Sequence, residues 1–305
     1  MKILKPKVEL WKQGENAIEH IAKCARVCYA SDRKDRDYEL VSNLTKNNHL
    51  SMLRHQTIYF RVPSTKNIIE RFDNSPYVNV ILYDGFYYIS TNGHYFYEHP
   101  DKFEDIIICM VDEETFDNTE VCREIMRYSF KVVTQISTSR ELNRVSPNNI
   151  AEQSTRYVYE DGSIVEPHWF TIGNDDYEYL GRDLNDKSVF KINNTIVDKK
   201  RVNIKVIDKK GYYDWMVDTY LDGCVVDFQT YKLLIEEGML RQDARGKLPL
   251  DTATICVYTY TVEEWRNILD LRYYDVTGKP HPNAFIIADM IRNELKGLGY
   301  EFREL

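Results

Sequence analysis

The chain has 305 residues, a formal net charge of −8, and a composition with 43% hydrophobic and 29% charged residues. This composition is typical of a globular protein with a sizeable core. The net negative charge disfavours a general nucleic-acid scaffold, which is usually basic. No apolar run reaches the roughly 18 residues of a membrane-spanning helix. The amino-terminal segment lacks the apolar core of a signal peptide, which predicts a cytoplasmic protein without a membrane partner.

The amino-terminal half predicts helices and strands in irregular alternation. Residues 3–11 predict an opening strand, and the apolar spacing predicts helices at 16–31 and 37–48. The later predictions in this half are a strand at 56–62, a short helix at 63–72, a hairpin at 78–97 with turns at Asp84-Gly85 and Asn92-Gly93, and helices at 102–111 and 119–128.

The carboxyl-terminal half contains the longest helical patterns. Strands are predicted at 130–137 and 162–172, and helices at 213–238, 261–272 and 282–297. Short polar and β-branched runs at 185–222 resemble an insertion. The whole order fits a single α+β domain over residues 1–305 better than a regular alternation of strands and helices.

The six cysteines give no sign of a metal site. Only Cys24 and Cys28 are close in sequence, and no second pair of cysteines or histidines at metal-ligand spacing is near them. The sequence therefore predicts buried, reduced thiols and no metal. A cysteine nucleophile stays open as an alternative, although no local feature selects one.

A cluster of anion-binding groups lies in the middle of the chain. Residues 152–162 read EQSTRYVYEDG, and they follow SRELNRVSPNNIA at 139–151. Hydroxyl and guanidinium groups at this density indicate either a surface strip of ion pairs or a pocket for a phosphorylated substrate. The residues alone leave both interpretations open.

Three separated blocks resemble the flavin-dependent thymidylate synthases. The first is NNHLSMLRHQTIYFRV at 47–62, and the second is SRELNRVSPNNIAEQSTRY at 139–157. The third is YKLLIEEGMLRQDARGKLPL at 231–250, followed by VEEWRNILDLRYY and HPNA. Each block alone is a weak match, but three blocks in the family order make chance an unlikely cause.

The resemblance implies a fold and a reaction. The implied fold is a single domain with a mixed or antiparallel sheet flanked by helices, carrying insertions at about 73–125 and 171–222. Members of the family make dTMP from dUMP, using methylenetetrahydrofolate as the one-carbon donor and reduced FAD as the hydride donor, with NADPH or another reductant. They are typically homotetramers with active sites between subunits, and they need no cysteine nucleophile.

The resemblance also implies site residues, and their chemistry suits a nucleotide. The implied catalytic residues are Arg144 and Arg272. The implied substrate-binding residues are Glu152, Gln153, Ser154, Thr155, Arg156, Arg245 and Arg272. The implied cofactor-binding residues are His49, Ser51, Arg54, Arg144, Asn267 and His281. Hydroxyl and guanidinium groups bind phosphate, and Arg272 is placed to contact the pyrimidine or its sugar. The alternative is that these arginines only pair with surface acids.

The flavin side of the pattern departs from the family. Where the family has Arg-His-Arg, this chain reads Arg144-Val145-Ser146, and Arg54 stands where an acid is common. The positions of a family Asn and Arg that touch FAD correspond to Thr261 and Glu263. These changes predict weak FAD binding, with Arg54 as a compensating charge. Two alternatives to thymidylate synthesis stay open: other C5 chemistry such as hydroxymethylation, and a non-catalytic nucleotide-binding protein.

Overall fold

The computed structural model describes residues 1–14, 16–31, 36–65, 67–72, 75–117, 120–145, 148–199, 202, 204–207 and 211–304. Ser146, one of the two residues that depart from the Arg-His-Arg signature, lies outside these residues. Parts of the predicted insertions at 73–125 and 171–222 lie outside them too.

The strands and helices are numbered in chain order. In the described residues the strands are β1 (Lys2–Leu4), β2 (Lys7–Trp11), β3 (Thr57–Pro63), β4 (Val78–Tyr83), β5 (Phe86–Asn92), β6 (Met110–Val111), β7 (Arg127–Gln135), β8 (Ile150–Glu152), β9 (Ser163–Val165), β10 (Phe170–Ile172), β11 (Tyr177–Arg182), β12 (Ser188–Ile192), β13 (Thr195–Asp198), β14 (Ile204–Val206) and β15 (Ala253–Thr261). The α-helices are α1 (Ala17–Val27), α2 (Asp37–Lys46), α3 (Ile69–Phe72), α4 (Gly93–Glu98), α5 (Glu113–Asp117), α6 (Ile136–Leu142), α7 (Asp214–Glu236), α8 (Arg241–Ala244), α9 (Val262–Arg272) and α10 (Pro282–Gly297). Short 3₁₀ helices lie at Leu50–His55, Pro100–Lys102, Ile107–Cys109, Glu120–Ile125 and Arg245–Lys247.

The strands form four sheets that are mostly antiparallel. The central sheet has the order β2-β7-β15-β8, and a second four-stranded sheet has the order β4-β5-β3-β6. A five-stranded sheet, β13-β12-β11-β1-β9, contains the parallel pair β1 and β9, and β10 pairs with β14. The α+β class with mixed and antiparallel sheets is therefore confirmed.

The largest core packs α9 and α10 against the central sheet. Phe130 and Tyr260 of the sheet meet the fully buried Trp265 of α9, with ring centroids 5.2 and 5.1 Å away and edge-to-face planes. Ile287 and Ile291 of α10 belong to the same buried cluster. Aromatic pairs of this geometry add about 0.5–1.5 kcal/mol beyond the apolar area that they bury. This packing fixes α9, which carries Arg272 at its end.

Residues between the 3₁₀ helix Leu50–His55 and β7 build a sheet of their own. Strands β3 to β6 enclose a separate cluster that includes Phe60, Ile89 and Phe103. The chain leaves the central sheet after Trp11 and returns to it at Arg127. The insertion predicted at 73–125 lies inside this larger segment, and its boundaries stay a prediction.

The long helices are confirmed, and several short elements differ from the prediction. The single strand predicted at 3–11 is wrong, because the chain breaks at Pro6 and places β1 and β2 in different sheets. Proline has no N–H group with which to continue a ladder. The turn predicted at Asn92-Gly93 is also wrong, since the Asn92 side chain accepts from Tyr95 N at 2.9 Å and caps α4.

The helices predicted at 102–111 and 119–128 are wrong. These segments form 3₁₀ turns and then enter strands, with Met110 pairing with Phe60 and Arg127 pairing with Thr261. Pairing with a distant strand overrides a local helical preference when it buries more apolar surface.

The cysteines are free thiols. Cys24, Cys122, Cys224 and Cys256 are buried, whereas Cys28 and Cys109 are partly exposed. Burial raises the pKa of Cys24 and of Cys256, which makes both thiols poor nucleophiles. Within the described ranges, no helix is long and apolar enough to cross a membrane.

Candidate functional site

Helix α6 continues directly from the central strand β7 and carries the first part of the anion-binding segment. Its residues face β8, where Glu152 accepts hydrogen bonds from Ser139 Oγ at 2.6 Å and Asn143 Nδ2 at 3.1 Å. The buried Tyr258 hydroxyl donates to Asn143 Oδ1 at 2.9 Å. These bonds hold α6 and β8 in one rigid unit, and they occupy the carboxylate of Glu152 with neutral donors.

The two predicted catalytic arginines meet at Glu141 of α6. Arg272 Nε donates to the backbone carbonyl of Glu141 at 2.9 Å, and its Nη2 lies 4.0 Å from Glu141 Oε2. Arg144 Nη2 lies 3.1 Å from Glu141 Oε1. Arg272 is thus joined to a glutamate 131 positions earlier in the sequence, and the same glutamate holds Arg144.

A cavity of about 470 Å³ lies on the other side of α6. Its lining residues are Ile136, Arg140, Thr155, Gln242, Asp243, Arg245, Gly246, Leu248, Pro249 and Leu250. Arg245 Nη1 donates to Thr155 Oγ1 at 3.3 Å, and Arg156 Nε donates to Gln242 Oε1 at 3.0 Å. The second and third sequence blocks therefore meet at this cavity. Arg140 and Arg245 outweigh Asp243 in charge, which favours an anionic ligand.

The backbone of residues 153–154 is tied to neighbouring elements. Gln153 N donates to Ile255 O at 2.8 Å, and Ser154 N donates to Cys28 O at 3.1 Å. Ser154 Oγ accepts from Arg156 N at 3.3 Å, so its own O–H remains free to donate to a ligand. The Gln153 side chain donates to Glu160 at 3.4 Å and points its amide toward that buried carboxyl. Burial raises the pKa of Glu160 to about 7.

A larger cavity of about 620 Å³ does not involve any predicted site residue. It lies between the ends of β2 and β7 and the second four-stranded sheet. Its wall carries four carboxylates, Asp112, Glu113, Glu114 and Asp117. Because like charges repel, this wall disfavours a phosphate. We therefore place the candidate anion site in the smaller cavity.

The predicted flavin residues lie on several elements. His49 and Ser51 are exposed at the start of the 3₁₀ helix Leu50–His55, and Asn267 is exposed on α9. His281 caps α10 by accepting from Asn283 N at 3.2 Å, and its ring packs edge-on against His168. These four exposed side chains thus lie on three different elements of the described chain.

Arg54 is already bonded inside the protein. Its Nε donates to His94 Nδ1 at 3.0 Å, and its Nη1 donates to the carbonyl of Asn148 at 3.0 Å. Val145 is 8% exposed and belongs to the main core cluster. The described residues therefore supply fewer cationic donors for a flavin than the resemblance implies, and they do not fit the family pattern at these positions.

Thr261 has a structural role that the sequence comparison did not anticipate. It forms a capping box at the start of α9: its hydroxyl accepts from Glu264 N at 3.1 Å, while Glu264 Oε2 accepts from Thr261 N at 2.7 Å. The Thr261 side chain is fully buried. This arrangement satisfies two backbone N–H groups that a helix start leaves without partners.

Thr261→Ala is expected to lower the free energy of unfolding by about 1–2 kcal/mol, since it removes the cap. Urea denaturation followed by circular dichroism measures the change. Thr261→Ser keeps the hydroxyl and should recover most of the stability. An alanine variant as stable as the parent protein would contradict the capping role.

Three residues at these sites were missed by sequence reasoning. Arg140 and Gln242 line the cavity, and Glu141 joins the two arginines. All three lie inside the quoted blocks. The helical spacing of residues 136–142 is the one signal that points to Arg140 and Glu141.

The chain is similar to solved structures but not to curated protein sequences. A search of curated protein sequences found no match. The chain is similar to the structure of a UMP/dUMP methylase, PolB from Streptomyces cacaoi, bound with 5-Br dUMP, at 16% identity and a TM-score of 0.44, covering 98% of this chain and 93% of that chain. The same protein bound with 5-Br UMP gives 16% identity and a TM-score of 0.45, with 97% and 90% coverage.

The family comparison covers most of the candidate site. A family profile described as thymidylate synthase complementing protein matches residues 116–297. This range contains α6, β8, the cavity residues and Arg272, whereas the first quoted block at 47–62 precedes it. The chain therefore belongs to the family of thymidylate synthase complementing proteins, the flavin-dependent thymidylate synthases.

Proposed function

We propose that this protein methylates C5 of dUMP to give dTMP. Methylenetetrahydrofolate would supply the one-carbon unit, and reduced FAD, regenerated by NADPH or another reductant, would supply the hydride. The observation that supports the proposal most directly is the meeting of Thr155, Arg245 and Arg140 at one cavity. Family membership provides the reaction class.

The geometry suggests how the nucleotide lies in the site. The phosphate would enter the cavity, where Arg140, Arg245 and the Thr155 hydroxyl offer donors. Arg140, which lines the cavity, is next to Glu141 on α6. Glu141 contacts Arg144 and Arg272, so these two arginines lie near the cavity. The pyrimidine would extend toward Arg272, whose guanidinium can donate to its carbonyl oxygens.

The cofactor and the assembly are part of the same proposal. His49, Ser51, Asn267, His281 and Arg144 are the exposed residues that would contact FAD. We also propose a cytoplasmic homotetramer, in which residues of neighbouring subunits would complete the cofactor site. Shared sites of this kind would let exposed flavin residues on different elements contact one cofactor from several subunits.

Arg245→Ala is expected to weaken dUMP binding by about 1.5–3 kcal/mol, which is the scale of a hydrogen bond to a charged group. Isothermal titration calorimetry measures the affinity. Arg182→Ala is the matched control, because Arg182 pairs with Asp222 away from the cavity and should leave binding unchanged. Equal affinity of the parent and the Arg245 variant would remove this residue from the site.

A product assay separates the proposal from its alternatives. Protein incubated with dUMP, methylenetetrahydrofolate, FAD and NADPH should form dTMP, identified by mass spectrometry. A hydroxymethylated nucleotide would favour other C5 chemistry. Tight nucleotide binding without any product, both with and without added FAD, would favour a non-catalytic nucleotide-binding protein.

A further inference from the structure

We propose that Glu141 is a positioning residue that fixes Arg272, and with it Arg144, for reaction at the pyrimidine. This inference rests on the proposed function and adds a residue that neither the sequence blocks nor the family match assigns. Glu141 acts through the arginines and needs no contact with the substrate. Its role follows from three contacts to one residue.

The first argument is the way in which Arg272 is held. Its side chain is 13% exposed, and its Nε donates to the backbone carbonyl of Glu141 at 2.9 Å. Because Nε is used, the plane of the guanidinium is set by α6, while the Nη groups remain for a ligand. The carboxylate of Glu141, 4.0 Å from Nη2, attracts the guanidinium from the same side. The guanidinium of Arg272 is thus held in one plane, and few other side-chain rotamers are open to it when it contacts the substrate.

The second argument is the rigidity of Glu141 itself. It lies on α6 between Ser139, which donates to Glu152, and Asn143, which bonds both Glu152 and Tyr258. A carboxylate on such a support can orient a partner with the precision that catalysis needs, because a misplacement of about 1 Å costs roughly a hundredfold in rate.

The third argument is charge. Arg144 is 66% exposed, and its ion pair with Glu141 at 3.1 Å is the contact that restrains it. With Glu141 present, the group of two arginines and one glutamate carries one net positive charge. Loss of the carboxylate would free Arg144 and raise the local positive charge. The same loss would therefore favour binding of a nucleotide anion and disfavour precise placement of Arg272.

These opposing effects predict a specific kinetic signature. Glu141→Gln should lower kcat for dTMP formation by about ten- to a hundredfold, because misplaced groups act mainly on the transition state. The KM for dUMP should change by less than about threefold. Glu141→Asp, which retains the charge, should recover part of kcat. A loss of folded protein would also lower the apparent kcat without changing KM, so kcat is expressed per folded protein, measured by circular dichroism and by the number of dUMP sites in calorimetry.

The chain offers a matched control at another arginine of α9, the helix that carries Arg272. Glu124 pairs with Arg266 of α9, with Nε–Oε2 and Nη2–Oε1 distances of 2.7 and 2.8 Å. Glu124→Gln removes this two-contact ion pair of α9, which is shorter than the pair of Glu141 with Arg272, but should leave kcat unchanged. An equal loss of kcat in the Glu124 and Glu141 variants would reduce the effect to helix stability and overturn the proposal.

A double-variant cycle tests whether Glu141 acts through Arg272. If it does, Glu141→Gln should cost little further activity once Arg272→Ala is present. Additive losses, or a Glu141→Gln variant with parent kcat, would overturn the inference. If the parent protein binds dUMP without turnover, the proposed function is wrong. The inference then stands only if the double-variant cycle, measured as dUMP affinity, shows that the effects of Glu141→Gln and Arg272→Ala are not additive. Absence of both binding and turnover would overturn both proposals.

Discussion

Two buried histidines are expected to cost the folded protein about 4 kcal/mol of stability when the pH falls from 7 to 5. Burial lowers the pKa of His20 to about 4 and that of His55 to about 3. In the unfolded chain both titrate near 6.5. Below that pH the unfolded state binds more protons, so stability falls as the pH falls, by about 1.4 kcal/mol per unit and per histidine.

Both buried histidines end a hydrogen-bonded chain that runs through the paired residues Ser129 and Thr259 of β7 and β15. His20 Nε2 bonds Ser129 Oγ at 3.0 Å, Ser129 bonds Thr259 Oγ1 at 2.7 Å, and Thr259 bonds His55 Nδ1 at 2.8 Å. Both histidines are nearly inaccessible to water. A charged imidazolium in this position would lose its hydration without gaining an anion. His55 is therefore a packed residue of the core.

One carboxyl group opposes this effect and must be separated from it. The raised pKa of Glu160, about 7, means that the folded state binds its proton more tightly, so Glu160 adds about 2 kcal/mol of stability as the pH falls from 7 to 5. These three groups together should then cost the wild-type protein about 2 kcal/mol. Glu160→Gln should reveal the full loss.

Denaturant unfolding at pH 7 and 5 measures these changes. His20→Gln and His55→Asn keep an amide near the bonded ring nitrogen, and each should remove about half of the histidine contribution. The exposed His49, replaced by Gln, is the matched control and should leave the pH dependence unchanged. A pH dependence that is equal in all these variants would refute the assignment.

FAD is expected to bind a few hundredfold more weakly than in a protein with the full Arg-His-Arg signature. Each lost charge-assisted contact costs about 1.5–3 kcal/mol, and two are absent at Val145 and Ser146. Glu263 adds an opposing charge on the exposed side of α9. Protein should therefore lose FAD during purification while its dUMP affinity is better preserved. Absorption at flavin wavelengths and calorimetry with dUMP measure the two properties.

The structure sharpens the role of Arg54 in this test. Arg54 bonds His94 and the carbonyl of Asn148, so it links α4 to the end of the signature segment. Arg54→Glu should abolish the remaining flavin binding, because it removes a positive charge and repels the same carbonyl. His94→Ala, which removes one partner but keeps the charge, is the control. Protein that purifies with stoichiometric FAD and keeps it in the Arg54→Glu variant would contradict the weakened cofactor site.

Local patterns were sufficient for the long helices and for the family. Helices α7, α9 and α10 follow from the spacing of apolar residues, because one buried stripe every 3.6 residues is a property of consecutive positions. The cluster of Ser154, Thr155 and Arg156 was visible in the sequence, and Arg245 was implied by the resemblance. The structure places Thr155 and Arg245 at one cavity, with a hydrogen bond between them.

Tertiary structure alone decided which charged groups remain available. The sequence does not distinguish the contacts of Arg54, Arg144 and Arg272. In the structure Arg54 bonds His94 and Asn148, whereas Arg144 and Arg272 both contact Glu141. The same holds for β1 and β2, which a single pattern predicted as one strand. Ion pairs and strand partners join residues more than a hundred positions apart, and their energies depend on burial and distance. Sequence by itself thus determined the long helices, the family and the anion-binding blocks. Only the folded chain decided the partners of Arg54 and Arg272, because those contacts are set by packing between distant segments.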